Sequence, residues 1–304
     1  CEKAGAALIN VSAGCYETGN TIVEPTSYAQ GWKVYLAAEI RKHVSLPVAT
    51  TGVIRDPEFA DELIKNGTTD FIGMGRSWLA DPEWGVKALE GRSCDIRKCT
   101  GCMYCFETAG ETLVTGGGSA SCAINPRMGK EAKYPELTSN GNGRKVVVVG
   151  AGPGGLQAAM TLAECGFAVT LLEKNSYLGG QMYLSAQPPH KEKMGYFITF
   201  AETQLKEHNV EIRLNTLADA ESIKKMDPFA VVIATGSAPV MPKSIKGINL
   251  PNVYTPVQIL TGEVKLKDMK VCVIGSGLTG LETGEFLAER NNEVSIYEMQ
   301  DKIG

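Results

Sequence analysis

Long apolar runs are missing from this sequence. No stretch approaches the ~18 residues that a membrane-spanning helix requires. The longest candidate, Val146 to Met160, is broken by four glycines and a proline. A basic block is missing too. Thirty lysines and arginines stand against 34 aspartates and glutamates, a formal charge of −4, which argues against nucleic acid or an anionic membrane as a partner. The opening Cys1-Glu-Lys-Ala-Gly has no basic start, no apolar core and no methionine, so it does not read as a secretory signal. With a stop at Gly304 just after an apparent strand, it reads as a piece of a longer protein. There is no low-complexity tract. An even cysteine count is also lacking. Nine are present, four of them bunched between 99 and 122, a pattern of metal ligation in a reducing cytoplasm rather than of a disulfide framework.

What remains is an ordinary globular balance, 304 residues with 43% hydrophobic and 21% charged. That length suggests two or three domains, each able to bury a core. Residues 1–92 alternate strand-like and helix-like stretches. Strands are expected over 6–14, 46–52 and 70–75, and helices over 32–44, 56–66 and 82–90. Such alternation with short loops is the signature of parallel β/α units. Residues 93–143 break the pattern. They hold the clustered cysteines, three glycines at 116–118 and the polar tail ELTSNGNG, without sustained periodicity, and read as a connector around a metal site. A second β/α region starts at Arg144, with strands KVVVVG, AVTLLEK, VEIRLN and AVVIATGS and helices near 154–165 and 196–207. A third opens at Lys270 and ends after EVSIYE. The expected division is therefore 1–92, 93–143, 144–268 and 269–304.

Gly150-Ala-Gly152-Pro-Gly-Gly155 follows a strand and opens a helix. The first glycine suits the tight turn, the second lets a pyrophosphate approach, and the third allows close helix–strand packing. The helix start then offers free N–H groups to the phosphates. Glu173 ends the next strand, 23 positions after Gly150, where a carboxylate can accept from ribose hydroxyls. The motif recurs as Gly275-Ser-Gly277-Leu-Thr-Gly280, with Glu298 again 23 positions on. One such motif is weak evidence, since a tight turn explains it. Two with matching acid spacing point to two bound dinucleotides.

The order of these parts resembles the two-dinucleotide flavoprotein reductases, in which the first fold holds FAD and the second a nicotinamide cofactor. That resemblance places Gly180 and Gln181 against FAD and closes the Ala234-Thr235-Gly236 turn on it. Glu298 is followed by Met299 and Gln300 rather than arginine. A carboxylate there repels a 2′-phosphate, which favours NADH over NADPH, although Lys302 is near.

Cys99, Cys102 and Cys105, with a remote Cys122, can supply four thiolates. Three sulfurs so close wrap one face of a cubane, and a distant fourth closes it. The spacing favours a [4Fe–4S] cluster over structural zinc, which more often takes two separated Cys-x-x-Cys pairs. Cys94 competes with Cys122 as fourth ligand. Cys1, Cys15, Cys165 and Cys272 are expected to be small buried hydrophobes. In the first region, Gly52 ends one strand and Gly75-Arg76 the next. A TIM barrel commonly builds its phosphate site from the loops after its last two strands, and Arg76 offers a bidentate fork. The plainer alternative is a pair of turn glycines and a surface charge.

Together, GMGRSWLADPEW, the connector ending CAINPR, and VVVVGAGPGGLQAA with LLEKNSYLGGQ resemble the old yellow enzyme-related iron–sulfur flavoproteins, the group of 2,4-dienoyl-CoA reductase and trimethylamine dehydrogenase. The chain departs from members with three residues between the second and third cysteines, having Met103 and Tyr104 alone. The resemblance implies an α/β chain: the C-terminal part of an FMN-binding TIM barrel, an iron–sulfur connector, then truncated Rossmann-like FAD and NAD(P) domains. It implies FMN phosphate at Gly52, Gly75 and Arg76. It further implies electrons passing from NAD(P)H through FAD and the cluster to FMN, and on to a small unsaturated substrate. Homo-oligomerisation is compatible with it. The alternatives are an amine dehydrogenase and an electron-transfer subunit. By the same comparison the strands expected to carry the proton donor are absent, so the catalytic residues are unknown. Tyr16 is a substrate-contact candidate, with a packed loop tyrosine as the plain alternative. Roughly three strands cannot close a barrel, so this stretch alone is not expected to bind FMN tightly or to turn over.

Overall fold

The structure is a computed structural model that describes residues 1–134 and 137–304. Pro135 and Glu136, within the expected connector, lie outside them; Glu136 begins its polar tail. Two compact units divide the chain: Cys1–Thr138 with Thr199–Gln204, and Ser139–Ile198 with Leu205–Gly304.

The first unit runs β1 (Ile9–Val11), α1 (Gly19–Ile22), α2 (Val34–Arg41), β2 (Val48–Thr51), α3 (Pro57–Lys65), β3 (Phe71–Gly73), α4 (Arg76–Ala80), α5 (Trp84–Leu89) and α6 (Tyr104–Thr115). Its three strands are parallel in the order β1-β2-β3. Val11 pairs with Thr50, and Thr51 with Gly73. The chain therefore leaves β2 and β3 side by side at one edge of the sheet. Helix α3 starts where the sequence dictates. Pro57 occupies its first turn, where the missing N–H costs nothing. Its apolar side joins Ile54, Ala60, Leu63, Trp84 and Ile96 in one core, while Val11, Ala37 and Val48 form another.

The second unit holds β4 (Lys145–Val149), α7 (Pro153–Glu164), β5 (Ala168–Leu172), α8 (Gln181–Ser185), the two ends of α9 (Tyr196–Glu207), whose middle, Thr199–Gln204, is counted with the first unit, then β6 (Glu211–Arg213), α10 (Ala220–Lys225), β7 (Ala230–Ile233), α11 (Pro256–Leu260), β8 (Lys270–Ile274), α12 (Leu278–Ala288) and β9 (Glu293–Tyr297). Four parallel strands lie in the order β6-β5-β4-β7, and β8 pairs with β9 in a separate parallel sheet. Val146, Val147 and Val148 are buried because helices and neighbouring strands cover both faces of β4, as an uninterrupted valine run requires. The order reverses direction between β4 and β7. A doubly wound sheet binds its ligand outside the strand ends at such a reversal.

The parallel α/β architecture agrees with the sequence expectation, and three details correct it. The supposedly irregular connector contains α6, a 12-residue helix. It has no buried residue, so no core-facing side sets it apart within the connector. The short helix α4 also escaped notice, directly after Gly75. Third, Cys1, Cys15 and Cys272 are exposed and Cys165 is only half-buried. Cys272 alternates with inward-facing Val271 and Val273 along β8, so the two-residue period turns it outward. Among the described residues, no helix is long and apolar enough to cross a membrane.

Candidate functional site

In the first unit the cysteine loop is shaped by two residues in the left-handed region, Gly101 at φ 73° and Met103 at φ 66°. A side chain on Gly101 would come within 3.1 Å of the Thr26 backbone, so glycine suits both the turn and the close approach. Met103 then begins α6 and carries Cys105 into its first turn. The outcome is one small cavity lined by Cys99, Cys102, Cys105 and Cys122, with Leu79, Met103, Ala123 and Ile124 as apolar wall and Arg76 as charge. Cys94 is exposed and is not part of the lining.

Side chains from the sheet edge hold this loop. The buried Arg55 donates from Nε to the Cys99 carbonyl at 2.6 Å. Asp56 pairs with Lys98. Asp81, also buried, accepts from the Arg97 N–H and from Lys87 Nζ, both at 2.8 Å. The second cysteine segment is tied down by Asn125, whose Nδ2 donates to the Leu79 carbonyl at 2.9 Å. Sequence reading missed these residues. A signal was available in the repeated Asp-Pro-Glu at 56–58 and 81–83, where each aspartate ends up holding one of two adjacent connector residues.

The donor set of this cavity is four thiols with no histidine or carboxylate, a set that iron–sulfur clusters and four-cysteine zinc sites both use. Tetrahedral zinc with Zn–S near 2.3 Å would gather its sulfurs to ~3.8 Å of one another. Among the described residues, no group of three His, Cys, Asp or Glu side chains converges so as to hold one metal ion, yet four cysteines share one cavity. Burial pushes the Cys105 and Cys122 thiols up, and neighbouring cysteines add to the rise, while the Arg76 charge partly offsets it at Cys105. Bound iron would reverse this by drawing off the protons.

Arg76 opens α4 beside Gly75, at the edge where β2 and β3 end. Its Nη2 lies 2.8 Å from Glu24 Oε2, and its Nη1 donates to the Glu24 carbonyl and sits 3.6 Å from Met103 Sδ. Glu24 is 2% exposed and also takes Lys33 Nζ at 2.6 Å and the Trp32 indole N–H at 3.1 Å. Burial alone would raise the Glu24 carboxyl, but the hydrogen bonds, that from Lys33 foremost, outweigh it and hold the group below its ordinary range. Gly52 has φ 109°, and a side chain there would strike Lys33 Cε and Glu24 Oε1. Gly52, Gly75 and Arg76 thus share one edge, but part of the arginine fork is engaged by Glu24. Tyr16 is 98% exposed, not packed.

In the second unit, both glycine turns are built alike. A side chain on Gly155 would lie 1.8 Å from the Gly150 carbonyl oxygen, and on Gly280, 2.0 Å from that of Gly275. The third glycine of each motif is therefore demanded by the fold. The second glycine is not. Gly152 and Gly277 have ordinary φ values of −70° and −62°, and nothing lies within 4 Å of where a side chain would stand. That open space at a helix start is where a dinucleotide pyrophosphate fits.

Each turn is locked by its own glutamate. Buried Glu173 accepts from the Ala151 N–H at 2.7 Å and the Asn175 N–H at 2.9 Å. Glu298 accepts from the Ser276 N–H at 2.7 Å, the Ser276 hydroxyl at 2.9 Å, and the Met299 and Gln300 N–H groups at 2.8 and 3.0 Å. Two carboxylate oxygens offer about four acceptor sites, so Glu173 retains capacity for a ribose. Around the first turn, Gly180 approaches Gly152 within 3.0 Å of a would-be side chain, and Gln181 Nε2 donates to Ser237 Oγ at 3.0 Å, beside Gly236.

The Ser276 and Gln300 N–H groups, followed by the Ser276 hydroxyl, draw the Glu298 carboxyl down to about 2. An unfolded glutamate titrates near ~4.3. The stability this group contributes is therefore complete above that pH and is lost as the pH falls toward 2. Thermal midpoints measured from pH 5 to 2 are expected to fall less steeply for Glu298→Gln than for the natural chain; parallel curves refute the lock.

Residues 144–304 match the pyridine nucleotide-disulphide oxidoreductase family, and residues 6–95 the NADH:flavin oxidoreductase / NADH oxidase family. The chain is 45% identical to an NADH oxidase of Thermoanaerobacter brockii over 99% of its own length and 46% of that protein. It is 35% identical to a cinnamate reductase of Clostridium sporogenes over 99% of itself and 44% of that protein. A solved 2-naphthoyl-CoA reductase complex superimposes with a TM-score of 0.89 at 32% identity, over 97% of this chain and 44% of that one. The chain thus spans less than half the length of these relatives.

Proposed function

Because the chain belongs to the pyridine nucleotide-disulphide oxidoreductase family over its C-terminal half, behind an NADH:flavin oxidoreductase segment, it is one of the old yellow enzyme-related iron–sulfur flavoproteins, and we propose that the protein containing it reduces an activated C=C bond with electrons from NADH. Residues 1–92 belong to the FMN barrel, 93–143 carry the cluster, 144–268 bind FAD and 269–304 begin the nicotinamide fold. The observation that carries this reading is the pair of glycine turns, each closed by its glutamate and each open at its second glycine. A chain with no nicotinamide input would have no need of the second.

In this reading Gly150, Gly152, Gly155, Glu173, Gly180, Gln181 and Gly236 hold FAD, while Gly275, Gly277 and Gly280 hold NADH in the turn that Glu298, its four acceptor sites engaged, keeps in shape. Gly52, Gly75 and Arg76 receive the FMN phosphate, with Lys33 as a further cation over Gly52. Cys99, Cys102, Cys105 and Cys122 hold a [4Fe–4S] cluster. Such a cluster, when bound, relays electrons singly between two flavins, in the order NADH, FAD, cluster, FMN. Leu79 and buried Ile124 give it an apolar wall, and Arg55, Asp81 and Asn125 keep its ligands in place. The substrate class, an α,β-unsaturated carboxylate or thioester, is supported by the cinnamate and naphthoyl-CoA reductases among the relatives.

Anaerobic stopped-flow on the full-length protein tests the reading. NADH is expected to bleach the flavins, an α,β-unsaturated acid or thioester to reoxidise them, and NADPH to give the lower kcat/KM. Bleaching by a methylamine but not by NADH would assign the protein to the amine dehydrogenases. Reduction by NADH that no alkene reverses would leave an electron carrier.

A further inference from the structure

We propose that Arg76 is the charge that sets the reduction potential of the cluster held by the four cysteines, and that buried Glu24 and Lys33 are there to keep it in place. This rests on the cluster reading above. Among the residues lining the cysteine cavity, Arg76 is the sole charged side chain apart from any thiolate. Its guanidinium reaches Met103 Sδ, between the second and third cysteines of the loop, at 3.6 Å. Its other contacts anchor it from behind, through two bonds to Glu24, which is itself fastened by Lys33 at 2.6 Å. Glu24 and Lys33 are 2% and 4% exposed, so water does little to screen the group.

The charges sum simply. Within this trio Arg76 and Lys33 contribute +2 and Glu24 −1, a sum of +1; buried Arg55, on the Cys99 carbonyl, is common to every variant and cancels from the comparison. Reducing a cluster adds one negative charge, and net charge nearby is among the factors that set its potential. A fixed cation in a low-dielectric site therefore favours the reduced form. Removing Arg76 takes the local sum to 0 and disfavours reduction. Neutralising Glu24 takes it to +2 and favours reduction. A purely structural role predicts no such opposition of sign.

The test is an anaerobic redox titration of the full-length protein, with the cluster followed by electron paramagnetic resonance and iron and sulfide counted first in every variant. At a fixed potential, Arg76→Gln is expected to lower the ratio of reduced to oxidised cluster about tenfold, equivalent to ~59 mV for one electron. Arg76→Lys should restore most of it, and Glu24→Gln should shift the ratio the other way. Equal potentials in the natural protein and Arg76→Gln, with iron loading intact, overturn the proposal. So does a shift of the same sign in both charge-removing variants. If Arg76→Gln does not accumulate, Glu24→Gln decides alone, an unchanged or lowered ratio being fatal. Absence of sulfide from the natural protein defeats the cluster reading instead. Because Arg76 is also placed at the FMN phosphate, whose loss would itself remove negative charge, FMN is counted in every variant and ratios are compared at equal FMN content; where Arg76→Gln loses FMN, Glu24→Gln decides.

Discussion

Gly155→Val is expected to abolish FAD retention by unfolding the glycine turn, whereas Gly152→Ala should abolish retention without unfolding anything. The two residues stand three apart in one motif and differ in what surrounds them. At Gly155 a side chain would sit 1.8 Å from the Gly150 carbonyl. That is backbone meeting backbone, and neither α7 nor β4 can yield without losing the contact that joins them. Forced overpacking of this kind costs about 3 kcal/mol or more, roughly 100-fold in the population of the closed turn. At Gly152 the space is open and φ is ordinary, so alanine fits the empty protein and collides only with a pyrophosphate. Flavin content and thermal midpoint of the full-length variants decide it. A Gly152→Ala protein that keeps its FAD would show that the gap serves some other purpose, and a Gly155→Val protein with an unchanged midpoint would show that α7 can shift.

The second large effect concerns the thiols. Serine at Cys99, Cys102, Cys105 or Cys122 should each remove most of the iron and labile sulfide from anaerobically purified protein. Serine at Cys94 should remove none. Cys122 shares the cavity with the other three, and Cys94 lies exposed outside it. Each replacement trades a soft thiolate for a hydroxyl where iron–sulfur chemistry calls for sulfur. Full iron content in Cys122→Ser with loss in Cys94→Ser would exchange the two assignments. Zinc without sulfide in the natural protein would discard both.

Several of these features were legible along the chain because their causes are local. A valine run, a glycine triplet at fixed spacing and a proline after aspartate act on their immediate neighbours, so β4, the turn at Gly150 and the start of α3 follow from short stretches. The cysteine triplet is equally local. Other features failed for an equally definite reason. Helix α6 buries no residue, so it forms without a core to pack on, among cysteines and glycines that read as a loop. Cys272 faces outward because of which side of β8 is covered, a fact belonging to the sheet and not to the strand.

Sequence by itself determined the family of parts: parallel β/α units, two glycine turns each with an acid 23 positions on, and three thiols within seven residues. Their steric demands are met or broken within a single turn. Only the tertiary structure decided that Cys122 joins those thiols while Cys94 does not. It alone decided that Arg76 meets Glu24 from 52 positions away, and that Asp56 and Asp81 fasten the connector. Burial and charge pairing at such separations arise when the chain returns on itself, and no local spacing encodes that return.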